Sequence, residues 1–253
     1  MLLETKDLTK NFGGLAAVSD FSMQVAEGEI VGLIGPNGAG KSTVFNLITG
    51  VLPATSGRIV YDGQDITKKL PDQVAKLGIG RTFQLNPLFP DFTVLENVTS
   101  SFFLHPHSSL VSVFFNTRSY RANEAFIEEK AREILARVGL AEEADELAKN
   151  LAHGHQKMLG VARALATKPR LLLLDEPLAG MNPGEIQSSL DAIRGMRDNG
   201  ITVLIVEHNM QILSLCDRVV VIGFGKKITE GLPEEVRANQ EVISAYFGSD
   251  YVC

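Results

Sequence analysis

Ile30-Val31-Gly32-Leu33-Ile34 runs directly into Gly35-Pro36-Asn37-Gly38-Ala39-Gly40-Lys41-Ser42-Thr43. The second segment fits G-x-x-x-x-G-K-[ST], the pattern of a phosphate-binding loop. The first is a short apolar run of the kind a buried strand makes. After the loop, the chain from Thr43 to Ile48 meets no breaker until Gly50, which predicts a helix. Strand, loop and helix are the context the motif needs. Gly35, Gly38 and Gly40 permit backbone conformations that a side chain would hinder, so successive N–H groups can point inward around an anion. A helix opening near Lys41 adds the positive end of its dipole. Lys41 then brings a mobile point charge to the outer phosphates, and the Ser42 hydroxyl suits a Mg²⁺ ligand.

The next landmark is Leu171-Leu172-Leu173-Leu174-Asp175-Glu176-Pro177. Four consecutive leucines suit a strand buried on both faces of a parallel sheet, and ligands bind at the ends of such strands. Asp175 is placed to hold Mg²⁺ directly or through water. Glu176 is placed to orient or deprotonate an attacking water; read alone, it also fits a carboxylate capping a turn. Thr202-Val203-Leu204-Ile205-Val206 predicts a second buried strand, ending at Glu207-His208. From spacing alone His208 and Gln84 read equally as site residues or as polar groups satisfied at strand ends. His105 with His107, and His153 with His155, have no accompanying ligands of a recognisable metal site and read as surface or loop.

Elsewhere Phe21, Met23 and Val25 alternate with polar neighbours, as a half-buried strand does. On pattern alone Phe12, ahead of the Gly13-Gly14 turn, is a core aromatic. Residues 57–63 and 79–84 predict strands, and 85–90, with two prolines, a loop. From Val94 to Leu165 the chain reads as mainly helical. Ile127, Ala131, Ile134, Leu135 and Val138 share one helical face, closed by Gly139. The aromatic-rich part from Phe102 to Tyr120 reads as core of this lobe rather than a docking surface. Residues 218–222 and 226–230 predict a hairpin, and Val236, Val242, Ile243, Tyr246 and Phe247 a final amphipathic helix.

The whole chain has 253 residues, near the upper size for one hydrophobic core. Its net charge of −6 does not indicate a broad electrostatic grip on nucleic acid. The two cysteines, Cys216 and Cys253, make no motif and fit a reducing compartment. The charged N-terminus is no signal peptide. No apolar run is long enough to span a bilayer, so work at a membrane would be that of a peripheral subunit.

Taken in order, these segments resemble the ATP-binding subunit of an ABC transporter along essentially the whole chain. Gly35–Thr43 looks like its Walker A motif, and Leu171–Asp175 like Walker B, with Glu176 as the family's catalytic glutamate. Gln84 matches the Q-loop, a magnesium and coupling position. His208 matches the switch histidine, and Phe12 the aromatic that stacks on adenine. Leu151-Ala152-His153-Gly154-His155-Gln156 looks like the signature that covers a partner's ATP, normally L-S-G-G-Q. Here Ala152 replaces the serine, His153 a glycine and His155 the glutamine. The lost hydroxyl contact would weaken that half-site by roughly 1.5–3 kcal/mol. Asn182 stands where the D-loop usually has aspartate.

The resemblance implies an α/β P-loop NTPase core with a mostly parallel sheet, an N-terminal antiparallel β part and an inserted α-helical lobe. Residues 1–84 and 166–253 would form the core of a single ABC ATPase domain, and 85–165 the lobe. Segments 10–15, 81–84, 179–183, 207–210 and 243–248 are most similar to the branched-chain amino acid importer group. The expectation is therefore an ATPase powering uptake of branched-chain or other amino acids. ATPases of lipopolysaccharide export, and soluble ABC ATPases acting on nucleic acid or ribosomes, are the alternatives. The implied cofactors are ATP and Mg²⁺. The implied partners are a second ATPase subunit (a copy or a paralogue), two membrane permeases and, indirectly, an extracytoplasmic binding protein, with no nucleic acid. The implied place is the cytoplasmic face of the plasma membrane.

Overall fold

The computed structural model describes residues 1–82, 88–102, 117–207 and 210–247. The expectations for Gln84, His105, His107, His208, Cys253 and most of the aromatic stretch after Phe102 lie outside the described residues. The chain divides into two compact units. One comprises Met1–Arg81, Arg170–Pro177 and Met196–Cys253, the other Thr82–Pro169 and Leu178–Gly195. The second unit thus takes in residues 178–195, which the sequence-based division placed with the core.

Among the described residues the strands of the first unit form two sheets. In the smaller, β1 (Leu3–Phe12) lies between β2 (Leu15–Val25) and β4 (Ser56–Tyr61), and β5 (Gln64–Asp65) pairs with β4, all antiparallel. Phe21, Met23 and Val25 are buried, as their alternation requires.

The larger sheet has the order β10-β9-β3-β8-β7-β6. Its centre is β3 (Ile30–Ile34), β8 (Thr202–Glu207) and β7 (Leu171–Asp175), in which every residue is buried. That explains apolar runs without alternation, since a parallel strand covered on both faces has no polar side. β3 pairs in parallel with β8 and with β9 (Arg218–Gly223), and β7 with β8 and with β6 (Ile79–Arg81). β10 (Lys226–Gly231) closes the edge as an antiparallel hairpin. Ile34 stands opposite Glu207, Asp175 opposite Val206, and Arg81 opposite Leu173. The parallel strands therefore end along one edge.

In the first unit α1 (Lys41–Ile48) follows the Gly-rich loop, and α2 (Pro71–Lys76) precedes β6. The expected C-terminal helix is two helices, α7 (Pro233–Ala238) and α8 (Gln240–Phe247). Asn239 separates them: its backbone is extended (ψ 122°), and its side chain accepts from the N–H groups of Glu241 and Val242. Of the strand expected over 79–84, the described residues give strand from Ile79 to Arg81.

The second unit is helical, with α3 (Val94–Thr99), α4 (Arg118–Arg137) and α5 (His153–Leu165) packed on one another. α6 (Pro183–Asp198) belongs to it as far as Gly195. α4 buries Ala131 and Leu135 on the expected face. It ends where Gly139 (φ 76°) lets the Leu140 N–H return to Leu135 O at 2.9 Å, the six-to-one bond of a Schellman turn.

Candidate functional site

Two glycines of the loop are there for different reasons. A Cβ on Gly35 would lie 2.1 Å from the Ile222 carbonyl oxygen, so space rather than conformation demands glycine. Gly40 has φ 107°, where side chains are strained, and also faces Ala17 O. The loop is fastened to the β9–β10 turn, where the Gly225 N–H donates to Ala39 O at 2.9 Å. α1 starts at Lys41, and no side chain among the described residues caps its first turn. Its leading N–H groups therefore keep the partial positive charge of a helix start.

The Lys41 side chain is buried, and its ammonium donates to Gly35 O (2.6 Å) and Pro36 O (2.9 Å). Burial pulls its pKa below the ordinary lysine value, while Glu176, Asp175 and Glu207 pull it up. These carboxylates stand at the ends of β7 and β8. Glu207, fully buried, is one that sequence reading passed over as a strand end.

Asp175 is buried and paired with Arg81, whose Nη2 lies 3.1 Å from Oδ2. Arg81 is the other residue missed. Its Nη1 donates to Asn46 Oδ1 (2.7 Å) and Thr49 Oγ1 (3.0 Å), and its guanidinium stands 5.5 Å from the centre of the Phe45 ring. Asn46, Thr49 and Phe45 all belong to α1 or its end. Glu176 follows with φ 48°, a left-handed backbone uncommon for a non-glycine residue. Its N–H donates to Val206 O at 2.9 Å, which holds that conformation against β8.

Phe12 corrects the pattern-based expectation of a core aromatic. It is 48% exposed, pairs with exposed Leu15 across the Gly13-Gly14 turn, and has Lys10 Nζ 5.1 Å from its ring centre. The hairpin tip projects beyond the buried part of the strand, which ends at Leu8. A free aromatic face is what a stacking base needs.

In the second unit the segment Leu151–Gln156 forms the start of α5, with Ala152 at the N-cap and no side-chain cap bond among the described residues. Gln156 Nε2 donates to Leu151 O. The Glu185 carboxylate packs against Gly154, within 2.9–3.2 Å of where a Cβ would stand. Glu185 Oε2 also accepts the Asn182 N–H, while Asn182 Oδ1 accepts the N–H groups of Gly184 and Glu185, which makes Asn182 the cap of α6. His155 Nδ1 lies 3.3 Å from Glu143 Oε1, and the His153 ring borders Gly180. Exposed Phe89 and Phe92 stack at 5.1 Å. Fully buried Asn97 bonds both the N–H and the C=O of Phe89, and Arg163 lies 5.1 Å from the Phe89 ring centre.

The donors expected for Mg²⁺ that lie in the described residues, the Ser42 hydroxyl and the Asp175 carboxylate, are oxygens, as a hard divalent cation takes. Among the described residues no cluster of three His, Cys, Asp or Glu forms a protein-only metal site. A cation shared with substrate phosphates suits that donor set.

Comparison with known proteins identifies the family. The ABC transporter family model matches residues 18–179, and a model of branched-chain amino acid ATP-binding cassette transporters matches residues 226–252. The high-affinity branched-chain amino acid transport ATP-binding protein BraF of Pseudomonas aeruginosa is 41% identical over 249 residues, 98% of each chain. LivG of Escherichia coli, of the same description, is 39% identical over the same share. An ATP-binding cassette of an ABC transporter, solved in its ADP conformation, has a TM-score of 0.85 at 35% identity and covers 98% of both chains. A bacterial ABC transporter cassette solved as a dimer has a TM-score of 0.79 at 25% identity, over 92% of this chain and 99% of that one. With a family model over more than half its length and relatives aligned nearly end to end, the chain belongs to the ATP-binding subunits of ABC transporters, ATPases whose hydrolysis is coupled to transport.

Proposed function

We propose that the chain is the ATP-hydrolysing subunit of an importer of branched-chain amino acids, with the residues singled out above in the following roles. The phosphate tail of ATP lies in the loop from Gly35 to Thr43 (Pro36, Asn37, Gly38, Ala39 and Gly40 between them), held by main-chain N–H groups, the start of α1 and the Lys41 ammonium. The adenine stacks on Phe12. Ser42, Asp175 and Gln84 hold Mg²⁺, which when bound neutralises charge on the phosphate oxygens. Glu176 accepts a proton from the attacking water as the bond from the γ-phosphorus to ADP breaks, giving ADP and phosphate; His208 orients the outer phosphate. Leu151, Ala152, His153, Gly154, His155 and Gln156 cover the ATP of a second ATPase subunit, a copy or a paralogue.

Exposed Phe89 and Phe92, on a base fixed by Asn97, are the docking point for permease helices. No helix of the described residues is long and apolar enough to cross a membrane, and the protein acts as a peripheral subunit at the cytoplasmic face. An extracytoplasmic binding protein delivers the solute to the permeases. The C-terminal match to branched-chain cassettes supports import over lipopolysaccharide export.

One observation carries the reading: an uncapped helix start and a buried lysine stand in electrostatic reach of carboxylates ending two neighbouring parallel strands. Glu176→Gln tests it. The expected result is loss of ATPase turnover by at least about a hundredfold, as for removal of a general base, with ATP binding retained and dimers accumulating in ATP. Turnover near the parent rate would remove Glu176 from its role.

A further inference from the structure

We propose that Arg81 tunes the metal site: it is the counter-ion that occupies the Asp175 carboxylate and competes with a divalent cation for it. The inference rests on the proposed role of Asp175 at the metal. Both side chains of the pair are nearly inaccessible, 7% for Arg81 and 3% for Asp175. A carboxylate so placed is costly unless a cation and hydrogen bonds compensate it. Lys41 also acts on Asp175 through space, but its ammonium hydrogen-bonds to the carbonyls of Gly35 and Pro36. Arg81 makes the direct contact, at 3.1 Å to Oδ2.

Its other bonds make an exchange feasible. Nη1 is held by Asn46 Oδ1 and Thr49 Oγ1, and the guanidinium rests over Phe45. When Asp175 turns to a cation, the guanidinium keeps these anchors and its place. A cation bound at Asp175 would therefore meet a fixed positive charge paired with the same carboxylate. The anchors hold Nη1 and the carboxylate holds Nη2, so loosening the anchors and removing the charge shift the cation's affinity in opposite directions.

The test is Mn²⁺ titration of the full chain with ADP at saturating concentration, read by electron paramagnetic resonance, with ADP affinity in chelator and thermal stability measured alongside. Arg81→Met removes the competitor and is expected to lower the half-saturating Mn²⁺ concentration by about tenfold, given a unit charge a few ångström away. Arg81→Lys keeps a competing charge but not the planar fork that reaches Asn46, Thr49 and Asp175 together, and is expected to leave the midpoint at or above the parent value, not below it. Asn46→Ala loosens the anchor, leaves the guanidinium to Asp175, and is expected to raise the midpoint several-fold. A purely structural Arg81 would lower thermal stability and leave all midpoints unmoved, which overturns the proposal. If Arg81→Met does not fold, the Asn46→Ala midpoint decides alone. ADP binding with unmoved midpoints refutes this inference only, whereas failure of the parent protein to bind ADP refutes the nucleotide reading as well.

Discussion

Lys41 is bound by the loop that carries it, through Gly35 O and Pro36 O, and it is buried among carboxylates rather than waiting in solvent. A phosphate tail offers its ammonium stronger, charged acceptors than two neutral carbonyls do. Lys41→Ala should therefore weaken ATP binding by about tenfold to a hundredfold, the loss of one charge-assisted bond. Equilibrium titration with a fluorescent ATP analogue measures it, and unchanged affinity would count against the loop as the phosphate site. Lys41, Ser42, Asp175 and Glu176 were legible in the chain because each sits within a few residues of the apolar run that positions it. Arg81 was not, because its partners Asn46 and Asp175 are 35 and 94 residues away. In the sequence it is one more residue of a short strand, and only the register that sets β6 beside β7 gives it a partner. Phe12 misled for the opposite reason. Local pattern assigns an aromatic before a turn to the core, but a hairpin can carry its tip past the core it belongs to.

At the scale of elements, Leu151–Gln156 is a helix start without a capping side chain among the described residues. Ala152 holds the N-cap position of α5 in an extended conformation suited to a capping residue, with no side chain to do it. Ala152→Ser should add a bond to the first-turn N–H groups and raise stability by about 1 kcal/mol; urea denaturation would reveal it, and no gain would mean that Glu185 already satisfies that end. The neighbouring α6 shows the converse. Asn182, where the resemblance expects aspartate, caps it through two N–H groups, and Asn182→Ala should cost about 1 kcal/mol while Asn182→Asp keeps the cap. The position of α4 and its glycine stop were readable from period and from Gly139. The break at Asn239 was not, because apolar spacing on either side is in phase and the signal is a single capping side chain.

At the scale of the molecule, each unit follows a different logic. The second is made mainly of helix-to-helix contacts, and the inclusion of residues 178–195 depends on contacts such as that of Glu185 with Gly154, which no local pattern announces. The first depends on one continuous apolar layer that joins both sheets and α1, and it encloses acids that never ionise near neutrality. Burial pushes the Tyr61 hydroxyl and the Cys216 thiol up to about 12, from ordinary values of 10.0 and 9.0. The sign follows from proton counts. Above pH 9 the unfolded chain releases these protons while the folded one still holds them, so rising pH favours unfolding. Their contribution is fully present below about pH 9 and is lost progressively as pH climbs toward 12, each group steepening the decline by up to about 1.4 kcal/mol per pH unit. Circular dichroism melts between pH 8 and pH 11 should therefore show a falling midpoint, with a shallower fall in Tyr61→Phe and in Cys216→Ala than in the parent. Both variants alter a packed site and start from a lower midpoint, so the comparison is of slopes. Parallel slopes in all three proteins would mean that the surroundings of Tyr61 and of Cys216 admit water, and that the first unit is held less tightly than its packing implies.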